Sequence, residues 1–268
     1  MCMIKIYDWR SDGVYLPIRY YAHPKGMRVV FVASLHEGEK NFYNHVTCIL
    51  NTCYVVIYEE MRPRDADTMK DLDKSWSRAL YDDNLDEAFL GAIFLPTPQT
   101  FMHDHGLQEE AYSFDYSQGN WISGDGNWHT EKNHVSLTAE TWETIRHKIT
   151  FLDEELKLKK VIAARKFVEK VNTHTASMID FLNFENLYED EIQYAIFQSD
   201  LVDPRDEMVF DVLDHLVCAI PPSRIGIKFG NGHIPHMDQM LKERGYICTT
   251  ARWLRVLSTV SYSYEIWI

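Results

Sequence analysis

Two short apolar runs constrain the fold of this chain most, because each gives way to a histidine and then to an amphipathic segment. The first is Met27 to Val32, bounded by Gly26 and Ser34 and followed by His36. The second carries Ile225, Ile227 and Phe229, breaks at Gly230 and presents His233. β-Branched and aromatic side chains in such runs suit buried strands of the kind parallel sheets use. Beyond His36, Phe42, Tyr43, Val46, Ile49 and Leu50 recur at helical spacing, and Tyr54 to Tyr58 reads as the next strand, ending in Glu59 and Glu60. A right-handed crossover would make the two strands parallel, with His36 and Glu59 at one edge of the sheet. Beyond His233, Pro235 suits the first turn of a helix whose apolar face is Met237, Met240 and Leu241 and which Gly245 ends. Gly230 and Gly232 leave the backbone free to turn tightly or to approach a ligand. Both histidines then stand just past the carboxyl end of a strand, where open α/β sheets bind ligands.

The rest of the chain is expected to support that arrangement. Asp67 to Leu80 places Met69, Leu72, Trp76 and Leu80 on one helical side, and a weaker helix follows before Pro98. Tyr112, Phe114 and Tyr116 alternate, a turn follows at Ser117 to Asn120, and Trp121 and Ile122 resume, which predicts a hairpin or paired strands. Thr138 to about His174 and Leu187 to Phe197 have helical apolar spacing, and Arg205 to Ile220 forms a further helix. The last residues, from Trp253, have strand composition and suit a sheet edge. The expected fold is α/β: a mixed central sheet built from two strand-His-helix units flanked by helices, with a mainly helical insertion at about 62–204. All 268 residues are read as one domain.

Charge narrows the partners. With 27 Lys and Arg against 40 Asp and Glu, a formal net charge of −13 disfavours nucleic acid and anionic membrane surfaces, which need a basic excess. Five cysteines, scattered and never spaced as CxxC, suggest neither a disulfide framework nor a zinc ribbon, so a reducing, cytoplasmic compartment is expected. No stretch approaches the apolar length of a membrane span, and the opening residues lack a signal-peptide core. The oligomeric state is not readable from the sequence.

Several residues offer chemistry. His36 and His233, each between a strand and a helix, would either bind a metal through imidazole, bind an anion at a helix N-terminus, or be satisfied by backbone hydrogen bonds. Glu59 would complete a two-His, one-Glu set or act as general base on a bound water, whereas Glu60 reads as surface charge. Arg205, beside Asp206 at a helix start, would hold a carboxylate or a developing oxyanion, or form a surface salt bridge. His103 and His105 form a weak HxDxH-like cluster, and Asp125 in a glycine-flanked turn is either a turn-former or a substrate contact. P-loop, GxSxG and HExxH patterns are absent from the sequence.

Over about Val29 to Trp253 these residues resemble the TraB/GumN branch of the Tiki superfamily. That family's signature is two GxxH-type motifs flanking a long helical insertion, a Glu after the second core strand and an Arg ahead of the last core helix. The second motif is Gly230, Asn231, Gly232 and His233; the first has Ala33 in place of glycine but keeps His36. The family Glu falls on Glu59 and the Arg on Arg205, with Asp206 where many bacterial members have Asn. The stretch from Gly106 to Asp125 is similar to its GumN-like counterpart and puts Gln108 and Asp125 on frequently retained positions. The resemblance implies a divalent-metal hydrolase, peptidase-like, acting on a peptide or small-molecule substrate. His36 and His233 would hold the cation, with Mn, Co or Zn all suitable; Glu59 and Arg205 would be catalytic, and Gly230, Gly232, Asp125, Gln108 and Asp206 would support them. The superfamily's haem-binding ChaN-like members offer a non-catalytic haem or small-ligand alternative, and a partner-binding module with a relict site is a third.

Overall fold

A computed structural model describes residues 7–59, 74–124, 139–186, 196 and 202–259. In chain order the elements of the first part are β1 (Asp8–Arg10), β2 (Gly13–Ala22), β3 (Arg28–Ser34), β4 (Glu37–Glu39), α1 (Lys40–Leu50) and β5 (Val55–Tyr58). Next come α2 (Leu85–Phe94), α3 (Gln99–Asp104), β6 (Leu107–Glu109), β7 (Trp121–Ser123), α4 (Ala139–Thr150), α5 (Glu154–Asn172) and α6 (Met178–Asn186). The chain then returns through α7 (Asp203–Ala219), β8 (Arg224–Gly230), α8 (Ile234–Glu243) and β9 (Ile247–Ser258). It divides into two compact units, one of Met1–Arg62, Leu107–Val135 and Leu201–Ile268, the other of Pro63–Gly106 and Ser136–Asp200.

The first unit holds the expected mixed sheet, which among the described residues has seven strands with the path β1-β2-β3-β8-β5-β7 and β9 laid along β2. β3, β8, β5 and β7 run parallel, so their carboxyl ends share one edge. Their side chains are almost wholly apolar: Val29, Val32, Val56, Ile57, Ile225, Ile227 and Phe229 are all buried, as strands covered on both faces require. α1 buries Phe42, Tyr43, Val46 and Leu50, and α7 buries Val209, Phe210 and Leu213. Gly124, just past β7, lies where a Cβ would meet the side chains of Ile57, Phe229 and Val209 at 2.8, 2.9 and 3.0 Å, so a larger residue there would force the core to shift. A small antiparallel ladder of β4 with β6 completes this unit.

His36 and Glu59 share an edge as expected, with β8 lying between β3 and β5. Two expectations are corrected here. Tyr112, Phe114 and Tyr116 do not form a hairpin: residues 110–112 are a 3-10 turn, and β7 pairs parallel with β5. Phe114 and Tyr116 serve instead an aromatic cluster in which Tyr116 meets Tyr58 at 4.9 Å and Phe114 meets Tyr43 at 5.5 Å, while Tyr112 is exposed. The span 62–204 is also not one helical insertion, since Leu107–Val135 belongs to the sheet unit.

The second unit is helical. The segment from Thr138 to about His174, expected to be helical, forms two helices, because Asp153 caps α5 by accepting a hydrogen bond from the Leu156 amide and so restarts the helix. Phe101, Phe167, Phe181 and Phe184 form its core. Lys157 and Lys160 are buried but bonded, to Asp86 at 2.7 Å and to the Phe184 carbonyl at 2.6 Å. The expected helix at 67–80 is seen over 74–80, while 67–73 and most of 187–197 lie outside the described residues.

Candidate functional site

The site is built on the carboxyl edge of the parallel strands. Glu59 follows β5 directly and is buried. Its Oε2 accepts the Gly230 backbone N–H at 2.8 Å, and its Oε1 accepts from Arg205 Nη2, projected by the first turn of α7, at 2.6 Å. The approach is close: a Cβ at Gly230 would stand 3.3 Å from Glu59 Oε2. Burial by itself would raise the Glu59 carboxyl, but Arg205, then His233, His36 and Lys228 outweigh it and hold the group well below the usual carboxylate range. A carboxylate so stabilised is a poor proton acceptor, which disfavours the general-base role for Glu59 and favours an anchoring one.

β8 ends at Gly230, a 3-10 turn spans Asn231–His233, and α8 follows with Pro235 in its first turn. This turn places His233 edge-on against Phe229, ring centroids 5.3 Å apart. His233 Nδ1 lies 2.5 Å from Asp206 Oδ1, and its Nε2 lies 3.9 Å from Glu59 Oε1. A carboxylate only accepts, so Nδ1 carries a proton toward Asp206. Asp206 Oδ2 binds a second imidazole, His236 Nδ1, at 2.9 Å. That bond, above all, raises the pKa of His236.

His36 is held differently. Over half of its side chain is open to solvent, 55 %, although protein crowds the other side. Its Nδ1 stands 3.7 Å from Oε2 of Glu110, a residue that no motif in the sequence singles out. That crowding disfavours the charged ring, yet the Glu110 contact and the charge of Glu59 prevail and raise its pKa. Glu110 is wholly buried and bonded to Lys228, itself wholly buried on β8. The Lys228 ammonium also donates to the Glu59 carbonyl at 3.3 Å and the Tyr116 hydroxyl at 3.2 Å. Burial pushes the Glu110 carboxyl up, and Lys228 chiefly brings it below its ordinary value. One signal for this pair was in the sequence: a lysine between Ile227 and Phe229 must find a counter-charge if that strand is buried.

The ligand atoms of His36, Glu59 and His233 do not fall within 4.8 Å of one another; among the described residues, Asp203, Asp206 and His236 do. Asp206 is thus a shared acceptor for two histidines, and Gly232 lies in the turn between β8 and α8. Gln108 is exposed on β6. Asp125 and Glu60 lie outside the described residues. In the helical unit His103 is almost fully exposed and His105 bonds the Phe101 carbonyl, so the HxDxH-like pair does not converge. Among the described residues no helix is long and apolar enough to cross a membrane.

Comparison of the chain with protein-family models, curated proteins and solved structures gave no match.

Proposed function

We propose that the chain is a metal-dependent hydrolase of the kind the TraB/GumN resemblance implies, with its site at the carboxyl edge of β3, β5 and β8. The observation that carries this reading is His233: Asp206 fixes its Nδ1 proton and leaves Nε2 toward Glu59. Metal-ligating histidines characteristically give their second ring nitrogen to a carboxylate in this way.

The residues fit a divalent cation in donor chemistry. Two imidazoles and a buried carboxylate suit Zn, Co or Mn, and Ser34 Oγ, at the end of β3, is buried without a hydrogen-bond partner among the described residues. His36 and His233 would hold the cation with Glu59 beside them. When bound, such a cation lowers the pKa of water toward neutrality and so supplies a nucleophile for an amide or ester. Arg205 holds Glu59 in place and keeps a quarter of its side chain open to solvent. From there it would neutralise a substrate carboxylate or a developing oxyanion.

Elemental analysis of protein purified without chelator tests the reading. About one divalent metal per chain is expected in the wild type and is lost in both His36→Ala and His233→Ala, with circular dichroism unchanged. Wild-type metal content in both variants would sink it. A Soret band on haem addition to a metal-free protein would favour the haem-binding alternative instead.

A further inference from the structure

The two histidines differ in how much of their surroundings is accounted for. His233 has its carboxylate in Asp206. Opposite the Nδ1 of His36 stands Glu110, whose Oε1 is bonded to Lys228 and whose Oε2, fully buried, has no hydrogen-bond partner among the described residues. The backbone sets these two side by side. β4 begins one residue after His36 and β6 ends one residue before Glu110; the ladder pairs Glu37 with Glu109, and the Glu110 amide donates to the His36 carbonyl at 2.7 Å. This two-stranded ladder therefore registers Glu110 against His36 with little freedom to slip.

We propose that Glu110 is the positioning residue of His36, its Oε2 accepting from Nδ1–H so that Nε2 is left as the lone-pair nitrogen. Lys228 has a defined part in this arrangement. An ammonium has three donors and no acceptor, so it occupies one carboxylate oxygen and leaves the other for the ring. At 3.7 Å the ring and carboxylate stand just beyond hydrogen-bond length, a looseness common to such contacts before a ligand draws them in. The inference deepens the hydrolase reading and rests on it for its consequence, though not for its test.

The test is the tautomer of His36, read from ring-nitrogen shifts in long-range proton–nitrogen spectra at about pH 9, where imidazole is neutral. The His36 signals are assigned by their loss in His36→Gln. The wild type is expected to show Nδ1–H at both His36 and His233. In Glu110→Gln, Lys228 claims the carbonyl end of the amide and turns the NH2 toward His36, which must then accept at Nδ1 and carry its proton on Nε2. The His36 tautomer therefore switches while that of His233 stays. The same His36 tautomer in wild type and Glu110→Gln, or Nε2–H in the wild type, overturns the proposal. If the Gln variant does not fold, Glu110→Leu with Lys228→Met removes both charges together. A tautomer mixture at His36 is then expected, and pure Nδ1–H would overturn the proposal. Cobalt(II) titration separates this inference from the metal reading. Affinity falls about 10- to 100-fold in Glu110→Gln when both hold. A wild type that takes up no cobalt overturns the metal reading, and the His36 tautomer alone then decides whether Glu110 positions the ring.

Discussion

The two strand-His-helix units look alike in sequence and are not equivalent in space. His233 is buried and bonded to Asp206 from α7, whereas His36 is more than half exposed and faces Glu110 across a wider gap. The sheet shows one reason. Counted back from each histidine, Ala33 matches Gly230, yet the ladder sets Gly230 beside Ser34 and Ala33 beside Phe229. Neighbours in a parallel ladder face the same side, so the Ala33 methyl lies on the Phe229 side of the sheet and the Gly230 position on the other. Ala33 is thus an ordinary buried strand residue, and it does not occupy the close approach that Gly230 makes to Glu59. Similar spacing along a chain does not guarantee similar placement when the partner strands are offset by one residue.

The contrast can be broken most severely at Lys228. Lys228→Met leaves Glu110 as an uncompensated buried charge and should cost about 3–5 kcal/mol in urea unfolding, whereas the double variant with Glu110→Leu should recover nearly all of it. A single variant as stable as the wild type would mean that the pair does not govern the His36 side. On the other side, Asp206→Asn removes a charge that serves two imidazoles, and a loss of about 1.5–3 kcal/mol is expected. A loss below about 0.5 kcal/mol, the level of an ordinary surface change, would show that Phe229 packing, and not Asp206, holds His233. Ala33→Gly sharpens the offset itself. It should destabilise by about 0.5–1 kcal/mol, as glycine in a strand does, without raising metal affinity; a gain in affinity would restore the simple two-motif picture.

The smallest effect expected is on pH dependence. The folded-state pKa of His36 is raised, so its contribution to stability is full below its unfolded value and is lost as pH rises through the folded value. Glu59 works oppositely: its folded pKa is lowered, so its contribution is present above the unfolded value and is lost as pH falls through the folded one. His36→Gln should flatten the neutral limb of a stability profile and Glu59→Gln the acid limb. Unchanged profiles in both variants would show that neither group is coupled to folding.

What could be read in advance follows from how local each feature is. β3, β5, β8, α1, α7 and α8 are visible because their apolar periodicity is a property of neighbouring residues. The order of the strands is not, since nothing within Tyr54 to Tyr58 or Met27 to Val32 says that a third strand will come between them. The alternation of Tyr112, Phe114 and Tyr116 misleads because the packing of Phe114 on Tyr43 and of Tyr116 on Tyr58, a tertiary demand, outweighs strand propensity. Glu59, Arg205 and His233 do come together, as their positions at strand and helix ends suggest. Glu110 stayed hidden because its importance depends on a ladder between segments about seventy residues apart.

The position of β8 also bears on how the molecule comes to be folded. β3 and β5 are made early, separated by one helix, and yet each leaves an edge open until residues 224–230 arrive to fill the gap between them. Pairing across so long a loop is entropically expensive and slow. A growing chain must therefore keep two apolar parallel edges from associating with other chains while most of its length is synthesised. Assembly of the sheet and delivery of His233 to Glu59 are consequently one late event, so an incomplete chain that stops short of β8 lacks both the central strand and the site.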